Sequence, residues 1–427
     1  MSTEKFFQSR TALITLFAAC FVVLISLGVR QTFGLFFMDF NESLKISNTA
    51  FGFAIGMQML MWGLTGPIFG AIADKYGGHI AIISAFIFYA AGIFFLYTGP
   101  NTGIFFQIHM GLLIGIGLGG TAISIPMSIV GKHFPLSTRT IAMSFVTAVG
   151  SFGYFLSPIF TSYSLNEFGW NYTLFVFGML LIAGLVAAYF VRSPSATENV
   201  EKTSDQSFSE ALNEAFKTKS YILLVSGFFV CGFHITLVGT HVPKYVIDRG
   251  LEDWTAAAIL SLIGLFNIFG SLLSGYLSAK MSKKIILSAI YFLRGVSIIF
   301  FIFTPASNIA AFIFGASFGF LWLSTVPATS GIVAHLFGTK YLGLLYGIVF
   351  LSHQIGSFFG AYLGGLFHDT YGSYDYAWYL AIALSVFAAI IHLPIKEEPV
   401  LRLSLIHISE PTRPERIGDG GVCVEKK

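Results

Sequence analysis

Twelve stretches of about twenty mostly apolar residues, the length that crosses a bilayer as a helix, run through this chain in two sets of six. The first set falls near residues 11–40, 49–72, 80–99, 103–131, 138–163 and 171–193; the second near 221–247, 254–278, 285–303, 307–336, 341–369 and 376–395. No water-facing fold absorbs that much apolar length. Only 11% of the 427 residues are charged, against about 25% in soluble domains. A cytosolic enzyme, a secreted domain and a disordered chain are thereby excluded. The 45 glycines suit helices packed closely in lipid. The sequence predicts an all-α polytopic membrane protein, its twelve helices forming two six-helix halves.

The organisation follows from the gaps. Residues 1–195 are expected to form the first bundle, 196–219 a polar cytoplasmic linker, and 220–396 the second bundle, with a tail over 397–427. From Leu403 to Arg413 the tail reads Leu-Ser-Leu-Ile-His-Ile-Ser-Glu-Pro-Thr-Arg. That string resembles the translation of a transposase sequencing adapter, so residues 403–427 are expected to be an artefact and the natural C-terminus to be missing. With both termini inside, fourteen Lys and Arg fall in cytoplasmic segments against Lys45, Lys244 and Arg249 outside, a positive-inside bias. The expected location is the cell (inner) membrane. The first apolar run is too long for a cleaved signal peptide and lacks a small-residue cleavage site; it reads as the first span.

The halves repeat at an offset of about 205 residues. Gly70-Ala-Ile-Ala-Asp74-Lys75-Tyr76-Gly77 after span 2 is echoed by Gly275-Tyr-Leu-Ser-Ala279-Lys280-Met281-Ser282 after span 8, and Gly150-Ser-Phe-Gly153 by Gly356-Ser-Phe-Phe-Gly360. Pro126 in span 4 corresponds to Pro327 in span 10. Two parallel six-helix repeats of this kind are the sign of a transporter with its site between them.

Twelve spans, a polar mid-chain linker and Gly-x-x-x-Asp-Lys-x-Gly after span 2 resemble the major facilitator superfamily over residues 1–396. In that motif Gly70 would allow close helix contact and Asp74 and Lys75 would latch the cytoplasmic ends of the halves, with Gly77 a further gating residue. Gly78-His79 replaces its usual basic pair, and the second copy carries Ala279 where an acid would stand. Gly28-Val-Arg30-Gln-Thr-Phe-Gly34, Gly232-Phe-His234, Thr240-His241-Val-Pro243, Leu321-Trp-Leu-Ser-Thr-Val-Pro327 and Ser352-His-Gln-Ile-Gly356-Ser-Phe further resemble bacterial monocarboxylate and oxalate/formate transporters. That branch implies a small carboxylate anion moved with a proton or in exchange. Its usual arginine in span 8 is absent: Gly270-Ser271 stand there.

Ionisable groups within spans are costly and are functional candidates by default. Spans 3–5 and 8–10 contain no carboxylate. Arg30 offers a permanent forked donor suited to a carboxylate; its alternative is a snorkelling or helix-bracing role. Adding the repeat offset gives His234, expected to face Arg30 across the cavity and able to exchange a proton near neutral pH; its alternative is a satisfied packing residue. Arg294, deep in span 9, either coordinates an anion or pairs with backbone carbonyls. Asn267, His353 and Gln354 are candidate polar contacts to the substrate, and His241 a gate or structural contact nearer the outside. Trp62 reads as packing, and His109, His335 and His368 as interfacial. Pro126 and Pro327 mark expected bends that would flex in gating.

The expected function is secondary active transport of a small organic anion by alternating access, proton-coupled, in a monomer within the lipid bilayer. The alternative is an exporter of drugs or other amphipathic small molecules, which Gly150-x-x-Gly153-x-x-x-Ser157-Pro158 faintly matches, although Asp39 at a span end is nearly all the chain offers as an intramembrane carboxylate. Scattered histidines and the isolated Cys20, Cys231 and Cys423 make no metal set or nucleophile–base pair, so neither an enzyme, a metal nor a cofactor is expected. No Gly-Lys-Ser/Thr nucleotide loop is present. A formal charge of +3 gives no argument for nucleic acid.

Overall fold

Apolar runs of this length satisfy their backbone polar groups in lipid by coiling into helices, and the described residues contain helices and no strand. A computed structural model describes residues 10–192, 207–338 and 341–400, without the side chains of 136, 137 and 208. Lys5, Lys202, Lys340 and the expected adapter segment lie outside the described residues.

Eleven helical stretches are long and apolar enough to cross a membrane. One of them, Leu136–Ala188, runs for 53 residues, or about 80 Å at 1.5 Å per residue, far more than the roughly 30 Å of a bilayer core. It is two crossings, divided at Gly169, whose φ of 79° suits a residue without Cβ. The twelve spans are therefore Arg10–Leu44, Asn48–Tyr76, Gly78–Thr98, Ile104–His133, 136–168, 170–188, Lys219–Asp248, Asp253–Ser278, Lys283–Phe303, Asn308–Phe337, Leu342–Tyr371 and Asp375–His392. They are numbered 1 to 12 in that order.

Two apolar cores form. One gathers buried residues from Ala12 to Val191 and the other from Ala215 to Ile395. Ala361 of the second half packs in the first core and Leu35 of the first half packs on the second. Within the polar linker the structure places a ten-residue helix, Phe208–Lys217, opened by a capping box in which Ser207 and Glu210 satisfy each other's backbone N–H. The Ser207 N–H holds the Glu210 carboxyl below its usual range. Ala211 and Ala215 bury one face of this helix.

Spans 4 and 10 are both interrupted. Span 4 breaks at Ala122–Ile123 before the helix Ser124–His133, and span 10 at 321–324 before Thr325–Phe337. Pro126 and Pro327 are each the third residue of the helix after the break. A proline lacks an N–H and its ring crowds the carbonyl four residues back, which falls at Ala122 and Leu323. The interruptions are where the repeat-related prolines put them.

The halves meet from the middle of the spans to the face opposite the linker. On that far face a Cβ at Gly34 would overlap the Gly239 carbonyl, one at Gly52 would overlap Ala361, and one at Gly365 would overlap Asn48. Toward the middle, Trp62 packs against Phe350 at 5.9 Å and Gly63 against Gln354. Spans 5 and 8 touch at Tyr154 and Gly264. Toward the linker face, Gly70, Gly343 and Gly347 have open space where a Cβ would stand.

Candidate functional site

Arg30 lies in the last turn of the first helical segment of span 1, which ends at Gln31 before a short 3-10 stretch, Phe33–Phe36. Free carbonyls at a helix C-terminus favour a cation there. Gly28, two residues back, lets span 5 approach: a Cβ at that position would overlap the Ser157 hydroxyl. The guanidinium is buried, with 8% of the residue exposed. Its partners are uncharged: Nη2 donates to the Met59 sulfur at 3.0 Å, Nη1 to Gln31 Oε1 at 3.4 Å, and the Tyr154 hydroxyl is a third hydrogen-bond partner, with Tyr89 nearby. Among the described residues no carboxylate pairs with it. A guanidinium has five N–H donors, so part of its capacity is left for a further acceptor.

Both central contacts between the halves lie beside it. Met59 is one turn from Gly63, which packs on Gln354 of span 11. Tyr154 is one turn from Ser151, whose hydroxyl accepts from Asn267 Nδ2 of span 8 at 3.0 Å. Asn267 Oδ1 accepts the Leu323 N–H at 3.0 Å, within the break of span 10. Asn267 therefore joins three spans. Gln354 Oε1 lies 3.0 Å from His353 Nδ1, while its Nε2 is buried without a partner. His353 itself stacks on Phe350 and packs against Phe228. Arg30, Asn267 and Gln354 thus stand at the seams between the halves, while His353, beside Gln354, packs within the second half against Phe228 of span 7.

His234 and Arg294 do not join them. The His234 ring is fully buried, with Nε2 2.8 Å from the Ala381 carbonyl oxygen of span 12. The expected convergence with Arg30 fails because span 7 turns this face into its own bundle, against span 12. Arg294 is also fully buried, donating from Nε and Nη2 to the Leu321 carbonyl at 3.2 and 2.7 Å and from Nη2 to the Trp322 carbonyl at 2.5 Å. These are carbonyls freed by the break in span 10. Of the two readings the sequence left open for Arg294, the geometry matches the backbone one. His241 likewise spends Nε2 on the Ala361 carbonyl at 2.7 Å.

The motif after span 2 is tied within its own half. Asp74 pairs with Lys132 at the end of span 4 at 2.8 Å, and Lys75 lies 5.0 Å from its neighbour Tyr76's ring. Gly70 contacts nothing on its Cβ side, and Gly77 has a φ of 99° at the end of the helix. The expected latch between halves is not formed, because the two halves stand apart on this face.

Sequence reasoning missed Tyr89, Tyr154, Ser151, Gln31 and Met59. Tyrosines in a chain that is 16% aromatic carry no distinguishing mark, and a methionine in a span reads as packing. The available signal was the near absence of carboxylates, which leaves phenols and amides as the partners of a buried guanidinium.

Known proteins share this architecture. The family model described as Major Facilitator Superfamily matches residues 16–326. The chain is 24% identical to "Uncharacterized MFS-type transporter YcxA" of Bacillus subtilis (strain 168), over 88% of this chain and 94% of that one. It is 24% identical to "Monocarboxylate transporter 13" of Rattus norvegicus, over 85% and 84%, and 23% identical to "Agnestins efflux protein AgnL12" of Paecilomyces divaricatus, over 90% and 88%. Among solved structures, a bacterial homologue of the human lysosomal transporter Spinster, in an inward-facing and unoccupied conformation, superposes with a TM-score of 0.70 at 16% identity, covering 90% of this chain and 97% of that one. With a family model spanning most of its length and the two six-helix halves described above, the chain belongs to the Major Facilitator Superfamily of multi-pass membrane transporters.

Proposed function

We propose that this transporter moves a small monocarboxylate-like anion across the cytoplasmic membrane by alternating access, coupled to a proton. The observation that carries the reading is Arg30: a buried permanent charge between the two seams, with sulfur, amide and phenol neighbours and no acid. A carboxylate would take its fork bidentately and neutralise it, with Tyr154 and Tyr89 at its sides. One net charge suits a monoanion. Asn267, His353 and Gln354 would read the rest of the substrate from the second half, and the name of the rat relative fits this class.

In this reading the bundles 1–195 and 220–396 rock about the seams as units, with a single chain sufficing. The linker face is cytoplasmic, as the excess of Lys and Arg there argues, and it is the face on which Gly70, Gly343 and Gly347 meet open space. The reverse state would close over Gly70, Asp74, Lys75 and Gly77, with Pro126 and Pro327 at the flexing breaks. Among the described residues no carboxylate stands with Arg30, so the coupling proton travels on the substrate or acts outside the binding centre. A chemical reaction is no part of this account.

The test is ligand-dependent stabilisation of purified protein. Short monocarboxylates are expected to raise the melting temperature of the wild type, their uncharged amides to leave it unchanged, and Arg30→Gln to lose the response. Stabilisation by amphipathic neutral or cationic compounds, with carboxylates inert, would favour the exporter reading, to which the name of the agnestins efflux relative lends support.

A further inference from the structure

The first turn of span 2 has backbone N–H groups with no partner inside the helix. Ser47 takes one of them, from Ala50 at 3.1 Å. Another is taken from the other half of the molecule. Asp369, near the end of span 11, accepts from the Thr49 N–H at 2.7 Å, the Thr49 hydroxyl at 2.6 Å and Asn48 Nδ2 at 2.7 Å. The Tyr374 hydroxyl, at the start of span 12, donates to Asn48 Oδ1 at 3.0 Å. A carboxylate of one half thus caps a helix of the other, where the helix dipole also favours a negative charge.

The contact has no slack. Gly52 on Ala361 and Gly365 on Asn48 bring spans 2 and 11 to backbone distance within a turn or so of the cap. Asp369 is nevertheless exposed on the far face, within reach of protons from that side. All three of its donors are uncharged. The charged groups nearby are otherwise engaged: Asp248 of span 7 holds Lys244 and, at 3.2 Å, His368, and His241 is spent on a carbonyl. Asp375 lies at the start of span 12 and Lys45 in the loop ahead of span 2, neither paired with Asp369.

We infer that Asp369 is the proton-responsive latch of the far face, and that its protonation releases spans 2 and 11 so that the molecule opens to that side. The chemistry sets the sign. An ionised carboxylate is acceptor-only, whereas its acid form turns one oxygen into a donor, here facing three donors and a helix N-terminus. The latch is closed above the carboxyl's titration and weakened as pH falls through it. The inference rests on the alternating-access reading but not on anion selectivity. Without carboxylates among the Arg30 neighbours, it gives the coupling proton a place to act outside the binding centre.

The test is the distance across the far face in substrate-free protein in nanodiscs, so that failure of the anion reading leaves it intact. Spin labels at Ser43→Cys and Ala306→Cys, both exposed positions, in a background without the native cysteines, report on the two halves. Wild type is expected to gain a long-distance population as pH falls from about 8 to about 3, through and below the ordinary aspartate range. Asp369→Asn is expected to show that population about tenfold enriched at the higher pH, as the loss of a charge-assisted bond implies, and to lose the pH response. Thr49→Val, which removes one donor and leaves the acid, is expected to enlarge the population while retaining the response. The inference is overturned if wild type does not respond to pH, if Asp369→Asn keeps the wild-type distributions, or if His368→Gln abolishes the response while Asp369→Asn does not.

Discussion

Arg294 of span 9 stands at the repeat position of Tyr89 of span 3, and the two reach equivalent partners by different means. Tyr89 donates to the carbonyl of Ser26 at 3.1 Å, and Arg294 Nη2 lies 3.5 Å from the sulfur of Cys231, the repeat mate of Ser26. Ser26 and Cys231 in turn meet Thr121 and Thr325, at 2.6 and 3.2 Å, beside the breaks in spans 4 and 10. The same pairing persists in both halves. In the first half the cation sits on span 1, near the seams; in the second it sits on span 9 and supports the broken helix.

Arg294→Gln should therefore act on folding rather than on recognition. It removes the charge-assisted bonds to Leu321 and Trp322, a loss of roughly 2–4 kcal/mol. Chemical or thermal unfolding of the purified variant should show that loss, with substrate affinity little changed in whatever fraction folds. Arg294→Lys, lacking the fork, should recover only part of the stability.

Asn267→Ala breaks a three-span junction. It should cost about 1–3 kcal/mol by leaving the Leu323 N–H unpaired and Ser151 without its donor. Because one bond crosses between halves, the variant should also change the rate at which the cavity alternates. Single-turnover exchange at saturating substrate would show a changed rate, whereas equal rates would confine Asn267 to a static role.

Two glycines separate static packing from closure. A Cβ at Gly232 would overlap the His353 carbonyl oxygen, so Gly232→Ala should destabilise the second half by about 1–3 kcal/mol. Gly70 faces open space here. Gly70→Val should leave the melting temperature near that of the wild type while slowing transport, because the added methyls interfere only when the linker face closes. A variant that unfolds early, or that transports at the wild-type rate, would contradict this.

How much of this was legible depends on the range of the forces involved. The spans could be placed because apolar length is a property of each segment alone, and even the division at Gly169 falls between two predicted windows. The prolines marked the breaks for the same local reason. The linker helix was signalled by Ser207-x-x-Glu210 but hidden in a polar stretch. The repeat offset paired Arg30 with His234, yet could not tell that span 7 turns this side chain toward Ala381. Arg294 was ambiguous because the need for it arises on another span, at carbonyls that no sequence pattern exposes. Asp369 was overlooked because it lies at a span end, where a carboxylate costs little and attracts no notice.

The role of Arg30 is tested most directly by uptake of a labelled short monocarboxylate into proteoliposomes, with an inward proton gradient, by wild type and Arg30→Gln. Gradient-stimulated uptake by the wild type is predicted, reduced at least about a hundredfold in Arg30→Gln, as the loss of a bidentate charge-assisted pair implies, while the variant keeps its fold. Transport of the acid by Arg30→Gln at the wild-type rate would contradict the assignment of Arg30 as the group that receives the carboxylate.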